Sequence, residues 1–393
     1  MIKIKEIKVR NILNSEGKEA LEVEMVTNDN RKAIASSPSA IIPGRREILT
    51  TSHIHMNSLN QMIEEIYCKE FNSQSDFDNF LNQYMEKLGT NVCLPFSLAY
   101  ARICAKNQNM TLVEYIRKIA NYHVKNSSPI PLVAIFSGGI HNQEEKGSIQ
   151  NIMVAVDIHP FSKSVPVITE IYTDIENEVK RRNILKYYGA SSGMVVPRLT
   201  EEEKMKMLEE TIKRLHYEKY VSIAIDVAAE HFYKNENYEY NGQILNSQKL
   251  DDILMGYIQK YNITYVEDPF DSDDIQYWKL IKAQNQNIAI VGDDLFATQD
   301  KYINSELANG IIIKMNQVGT LTDTINAFLK AKRKNMVTCV SQRSIETEDT
   351  FMCDLAVALG STYIKIGGPR RGDRIAKYNR LLRLEEEDSE VIK

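Results

Sequence analysis

The sequence predicts an α/β protein, an N-terminal α+β domain followed by a barrel of alternating strands and helices. Three observations carry this expectation. The first 120 residues pass from alternating apolar and polar segments into a long run of helical periodicity. Beyond residue 129, short continuously apolar strands alternate with amphipathic helices, the pattern of parallel strands covered by helices. The ionisable residues of those strands fall at their C-terminal ends, where barrels assemble functional sites.

Residues 3–10 and 20–26 ("ALEVEMV") alternate in character as strands of an antiparallel sheet with one wet face, and "NSEGK" (14–18) supplies the turn. Helical spacing then runs from about 56 to 120, as in "LPFSLAYARICAKNQ" (94–108). The polar, proline-ended "NYHVKNSSPIP" (121–131) reads as a linker and divides the chain into domains at 1–125 and 126–393. Strand tips follow at Asp226, at Glu267 and Asp268, at Asp293 and Asp294, at Lys314, beyond Ser341 at Arg343 and Ser344, and at Lys365. Helices fill the gaps. One opens with a capping box at Thr200 and Glu203 and lines Met205, Leu208, Ile212 and Leu215 along one side. Another places Leu321, Ile325, Phe328 and Leu329 on one face.

Composition points away from several functional classes. The chain has 393 residues, 43% apolar and 26% charged, with a net charge of −5, so nothing general favours a nucleic-acid or membrane partner. The basic runs "VKRRN" (179–183) and "KAKRK" (330–334) lie on helical patterns and read as solvated faces. "MIKIKEIKVR" lacks the apolar stretch of a signal peptide, and no segment approaches a membrane span. Five scattered cysteines form no CxxC pair, as expected of a cytoplasmic protein with reduced thiols.

Six strand tips, spaced between 21 and 41 residues apart, can converge on one barrel mouth. Asp226, Glu267 and Asp293 are three hard oxygen donors, suited to Mg²⁺. Lys314, Arg343 and Lys365 add cations, so the expected ligand is a carboxylate that also carries phosphate. Removing the proton α to a carboxylate creates an enolate that a metal can stabilise. Lys314 is the expected base, its pKa lowered by a neighbouring cation and by Lys365.

These residues carry a close resemblance to the enolase family. "SIAIDVAAEHFY", "YVEDPFDSDD", "VGDDLFAT", "IIIKMNQVGTLTDT", "SQRSIETEDTF" and "IAKYNRLLRLEEE" resemble its signature segments in order, and "LNSEGKEALEVEM", "LGTNVCLPFSLAYA" and "SGGIHN" extend the match. The resemblance implies an enolase-type eight-stranded α/β (TIM-like) barrel after the α+β domain, and cytoplasmic homodimers that dehydrate 2-phosphoglycerate to phosphoenolpyruvate. By position it implies Mg²⁺ ligands at Asp226, Glu267 and Asp293, and a base at Lys314. It also implies phosphate contacts at Arg343 and Ser344, a carboxylate contact at Lys365, and active-site roles for His141 and Gln150. Glu22 and Arg383 match an intersubunit salt bridge.

The departures are concentrated in one half-site. Ser192, within one position, stands in "GASSGMVVP" where the family has the glutamate of "GDEGG", and Asn151 replaces a second glutamate. The loop "PSAIIPG" (38–44) puts Ile42 where a serine holds a second Mg²⁺, and Gln342 replaces a histidine beside Arg343. Neither a serine nor an asparagine donates a proton as a carboxylic acid does.

Three readings follow. The chain is a divergent Mg²⁺ enzyme forming an enolate from another phosphorylated or phosphonate carboxylate; or a genuine 2-phosphoglycerate hydratase, with Glu144 or Glu145 of "HNQEEKG" as the acid; or an inactive enolase-like binding protein. The retained charged set argues against the last, because unpaired like charges destabilise a fold.

Overall fold

The computed structural model describes residues 2–51, 54–124, 128–139 and 147–390, with side chains through 387. Strands β1 (Ile4–Leu13), β2 (Glu19–Thr27) and β3 (Lys32–Ser36) form an antiparallel meander. Its inner face, carrying Leu21, Val23, Met25, Ala33 and Ala35, is buried, while on the wet side Arg10 bridges Glu22 and Glu24. Helices α1 (Met56–Cys68), α2 (Gln74–Asn82), α3 (Met85–Leu88), α4 (Thr90–Asn107) and α5 (Leu112–Ala120) complete the domain. The sheet packs on α4, which is buried on nearly every side.

The second part runs β4 (Ile130–Ser137), β5 (Asn151–Val156), α6 (Phe161–Arg181), a short hairpin of β6 (Tyr187–Tyr188) and β7 (Met194–Val195), α7 (Glu201–Arg214) and β8 (Val221–Asp226). A small sheet of β9 (Tyr233–Lys234), β10 (Asn237–Tyr240) and β11 (Gln243–Leu245) follows. Then come α8 (Ser247–Lys260), β12 (Ile263–Glu267), α9 (Ile275–Gln284), β13 (Ala289–Gly292), β14 (Gly310–Ile313), α10 (Leu321–Arg333), β15 (Val337–Ser341), α11 (Phe351–Leu359), β16 (Tyr363–Lys365) and α12 (Gly372–Glu390). Eight strands close a barrel in the order β4, β5, β8, β12, β13, β14, β15, β16 and back to β4. Strand β5 runs antiparallel to both neighbours; the other barrel pairings are parallel. The capping box at Thr200 and Glu203 forms as expected.

Strand parity aims the site. Ala224, Tyr265, Val291 and Ile312 belong to the cluster that fills the barrel interior, and Tyr363 packs against it. Side chains alternate along a strand, so the residue two positions further on points the same way. Those residues are Asp226, Glu267, Asp293, Lys314 and Lys365. Each follows the last inward-facing core residue of its strand and therefore faces the mouth. Strand β5 runs the other way, so Asn151 precedes its core residue Met153 and reaches the same level, paired in register with Asp226.

Candidate active site

A cleft opens at this mouth, about 700 Å³ with the solvent at its entrance included. Asp226, Asp293, Lys314, Arg343, Ser344 and Lys365 line it, together with Gln150, Asn151 and Gln342. Glu267 lies beneath them, fully buried. All of these residues therefore meet. His141, Glu144 and Glu145 fall outside the described residues.

The lysines thread between the acids. Lys365 Nζ donates to Asp226 Oδ2 at 2.7 Å and to both oxygens of Glu267 at 2.9 Å. Burial opposes charge on Lys365, yet the two carboxylates outweigh it and raise its pKa. Burial also opposes charge on Asp226, but Lys365 and Asn151 hold it below the ordinary carboxylate range. Burial, followed by repulsion from Asp226, pushes Glu267 up to about 7. Lys314 contacts Asp293 directly. Among the protein's own groups its pKa is raised, whereas the lowering expected from the sequence invoked a bound cation as well as Lys365. Burial and the cations Arg343 and Lys365 all favour the neutral amine, and the adjoining Asp293 carboxylate overrides them.

The donor set fits Mg²⁺ chemically: three hard carboxylates at one buried mouth, where burial first, and then repulsion from Asp226 and Asp293, raises the pKa of Glu267. Among the described residues, the three acids whose oxygens lie within 4.8 Å of one another are Asp268, Asp293 and Asp294. Asp268 accepts the backbone N–H groups of Asp293 and Asp294 at 2.9 Å each, which aims Asp293.

Among the described residues, the opposite wall is neutral. Asn151 donates through Nδ2 to Asp226 at 3.1 Å, and its Oδ1 accepts from Ser191 Oγ at 2.8 Å and Ser137 Oγ at 3.3 Å. The two serine hydroxyls are 2.8 Å apart. Ser191, not Ser192, therefore occupies the position expected of Ser192. The backbone turns through φ +63° at Ser192, and its hydroxyl donates away from the cleft to the Arg370 carbonyl at 3.0 Å. Gln150 donates to Asp226 at 3.1 Å; among the described residues its own carbonyl oxygen has no partner, nor has that of Gln342.

The loop 38–47 lies over the cleft, with Ala40 and Ile42 in its lining. An apolar Ile42 offers no metal ligand. Ser39 and Ile345 exchange backbone hydrogen bonds, and Ile41 N–H donates to Ser344 Oγ at 3.0 Å. Arg45 grips Glu230 at 3.1 Å and Asp271 at 2.6 Å. A Cβ on Gly44 would sit 2.3 Å from Asp294 Oδ1, so only glycine permits this approach.

Sequence reasoning missed Glu47 and His231, named Asp268 only as a strand tip, and reached Ser191 only within the one-position margin on Ser192. Glu47 pairs with Arg343 across 296 residues, beyond any local pattern. His231 lines the cleft, its pKa lowered by burial against the pull of Asp226 and Glu230; only its place five residues after Asp226 hinted at it.

Two family models match the chain: "Enolase, N-terminal domain" over residues 4–116 and "Enolase, C-terminal TIM barrel domain" over residues 125–393. A protein of Methanocaldococcus jannaschii named "Enolase" is 32% identical, over 98% of this chain and 95% of its own length.

Proposed function

This chain belongs to the enolase family, and on that premise we propose that it is a divergent Mg²⁺-dependent lyase-type enzyme. Its substrate is a phosphorylated or phosphonate carboxylate resembling 2-phosphoglycerate or phosphoenolpyruvate, from which it removes the proton α to the carboxylate. The observation carrying this reading is the asymmetry of the cleft among the described residues, with Lys314, Lys365, Arg343 and the acids on one side and amides and hydroxyls around Asn151 on the other.

Asp226, Glu267 and Asp293 would hold Mg²⁺, which supplies Lewis-acid stabilisation of the enolate charge. Lys314 takes the α-proton once its Asp293 contact is exchanged, because burial, Arg343 and Lys365 then favour the neutral amine. Lys365 meets the carboxylate, while Arg343 and Ser344 anchor the phosphate. Asn151 and Ser191 orient a hydroxyl or water. Neither protonates it, and losing a positioned acid costs about 10²- to 10⁴-fold in rate. The same reading takes the protein as a cytoplasmic homodimer in which exposed Arg383 meets Glu22, already held by Arg10 within its own chain.

The test is a proton NMR time course of 2-phosphoglycerate with the protein and Mg²⁺ in D₂O. Loss of the C2 proton signal outpacing vinyl product is the expected result. Vinyl signals keeping pace with that loss would make the chain a full hydratase of glycolysis. Neither change, across phosphorylated and phosphonate analogues, would leave a non-catalytic enolase-like protein.

A further inference from the structure

The guanidinium of Arg343 is held by a carboxylate that no sequence pattern pointed to. Glu47 accepts from Nη1 at 2.9 Å and from Nη2 at 3.1 Å, and both side chains are buried. Glu47 belongs to the end of the loop that covers the cleft. Gly44 N–H donates to its carboxylate at 3.0 Å, and its own N–H returns to the Gly44 carbonyl at 3.1 Å. Two steps earlier in that turn, Arg45 is clamped to Glu230 and Asp271 on the barrel. Lifting the 44–47 end of the loop therefore withdraws Glu47 from Arg343.

The donor inventory shows what this contact leaves available. A guanidinium carries five N–H groups in a rigid fork. Glu47 takes one from each Nη, leaving Nε–H and one N–H on each Nη without a partner among the described residues. Ser344 follows the same rule. Its oxygen accepts from Ile41 of the loop, leaving its O–H to donate. The loop thus satisfies these two residues in ways that preserve their donors, and the bidentate pair fixes the plane in which those of Arg343 lie.

We infer that Glu47 is a positioning residue that couples closure of the 38–47 loop to oxyanion binding at Arg343 and Ser344. This rests on the reading of those two residues as the phosphate anchor. A carboxylate merely competing for Arg343 would act with the opposite sign, since removing it would tighten anion binding.

Inorganic phosphate is titrated calorimetrically into the full chain and its Glu47→Gln, Glu47→Asp and Arg343→Gln variants. Trypsin cleavage after Arg45 and Arg46 is followed with and without phosphate. Phosphate should bind the unaltered protein and slow that cleavage. Glu47→Gln should weaken binding at least tenfold and remove the protection, with Glu47→Asp retaining part of both. If the glutamine variant does not fold, the aspartate variant alone decides by the same two readouts. Unchanged or tighter binding in the Glu47 variants, with Arg343→Gln inactive in binding, overturns the coupling. No binding to the unaltered protein, or none lost in Arg343→Gln, overturns the anchor and the inference with it.

Discussion

On the side of the cleft built by β8, β12, β14 and β16, with the loop after β13, carboxylates and ammonium groups touch directly, as in Lys365 with Asp226 and Glu267 and Lys314 with Asp293. On the side built by β5 and the 189–193 loop, an amide and two hydroxyls satisfy one another around Asn151. Both sides are buried and both are well connected. In the proposed chemistry the first would move a proton and gather anionic charge, whereas the described residues of the second would orient a hydroxyl or water. On the proposed reading, the fold keeps the charged half of the site, while the described residues of the other half are neutral. Asn151 links the two by donating to Asp226, a contact that a carboxylate at that position would turn into repulsion.

The largest expected effect comes from the charged side. Lys314→Ala should abolish C2-proton exchange, a loss of about 10³-fold or more for the removal of a positioned base. Retention of exchange within tenfold would show that another group takes the proton. The neutral side offers the reverse experiment. Ser191→Glu should raise vinyl product formation by about tenfold or more relative to exchange, because it returns a carboxylic acid to the position facing the leaving group. The same substitution at Ser192 should not, since that side chain points to the Arg370 carbonyl. Equal gains from both variants would contradict the assignment.

A smaller effect concerns stability. Glu267 titrates near 7 in the folded chain against an ordinary 4.5, so the native state holds its proton more tightly than the unfolded one. Its contribution is complete below about 4.5 and is lost as pH rises through about 7, at no more than about 1.4 kcal/mol per pH unit. Denaturant unfolding in chelator at pH 5 and pH 7.5 should show this decline. Glu267→Gln should flatten it, and an undiminished slope in that variant would place the titration elsewhere.

Much of this architecture was legible beforehand. The β1 and β2 alternation, the helical stretch to residue 120 and the strand tips at Asp226, Glu267, Asp293, Lys314 and Lys365 all stand where periodicity placed them. Other features were not legible. Ser191 and Ser192 are adjacent and chemically identical, and only the left-handed turn at Ser192 decides which hydroxyl faces the cleft. The expected drop in the pKa of Lys314 depended on knowing which charge lies nearest, and that charge is the Asp293 carboxylate.

By itself the sequence determined the sequence of strands and helices and the chemical identity of the residues at the barrel mouth. Those are written in periods of two and of 3.6 residues, so near neighbours suffice to read them. The tertiary structure alone decided the pairing of Glu47 with Arg343, the clamp of Arg45 on Asp271 and the protonation balance among the lysines and acids. Electrostatic energies follow distance in space, and the fold brings to Arg45 and Arg343 partners from hundreds of residues away.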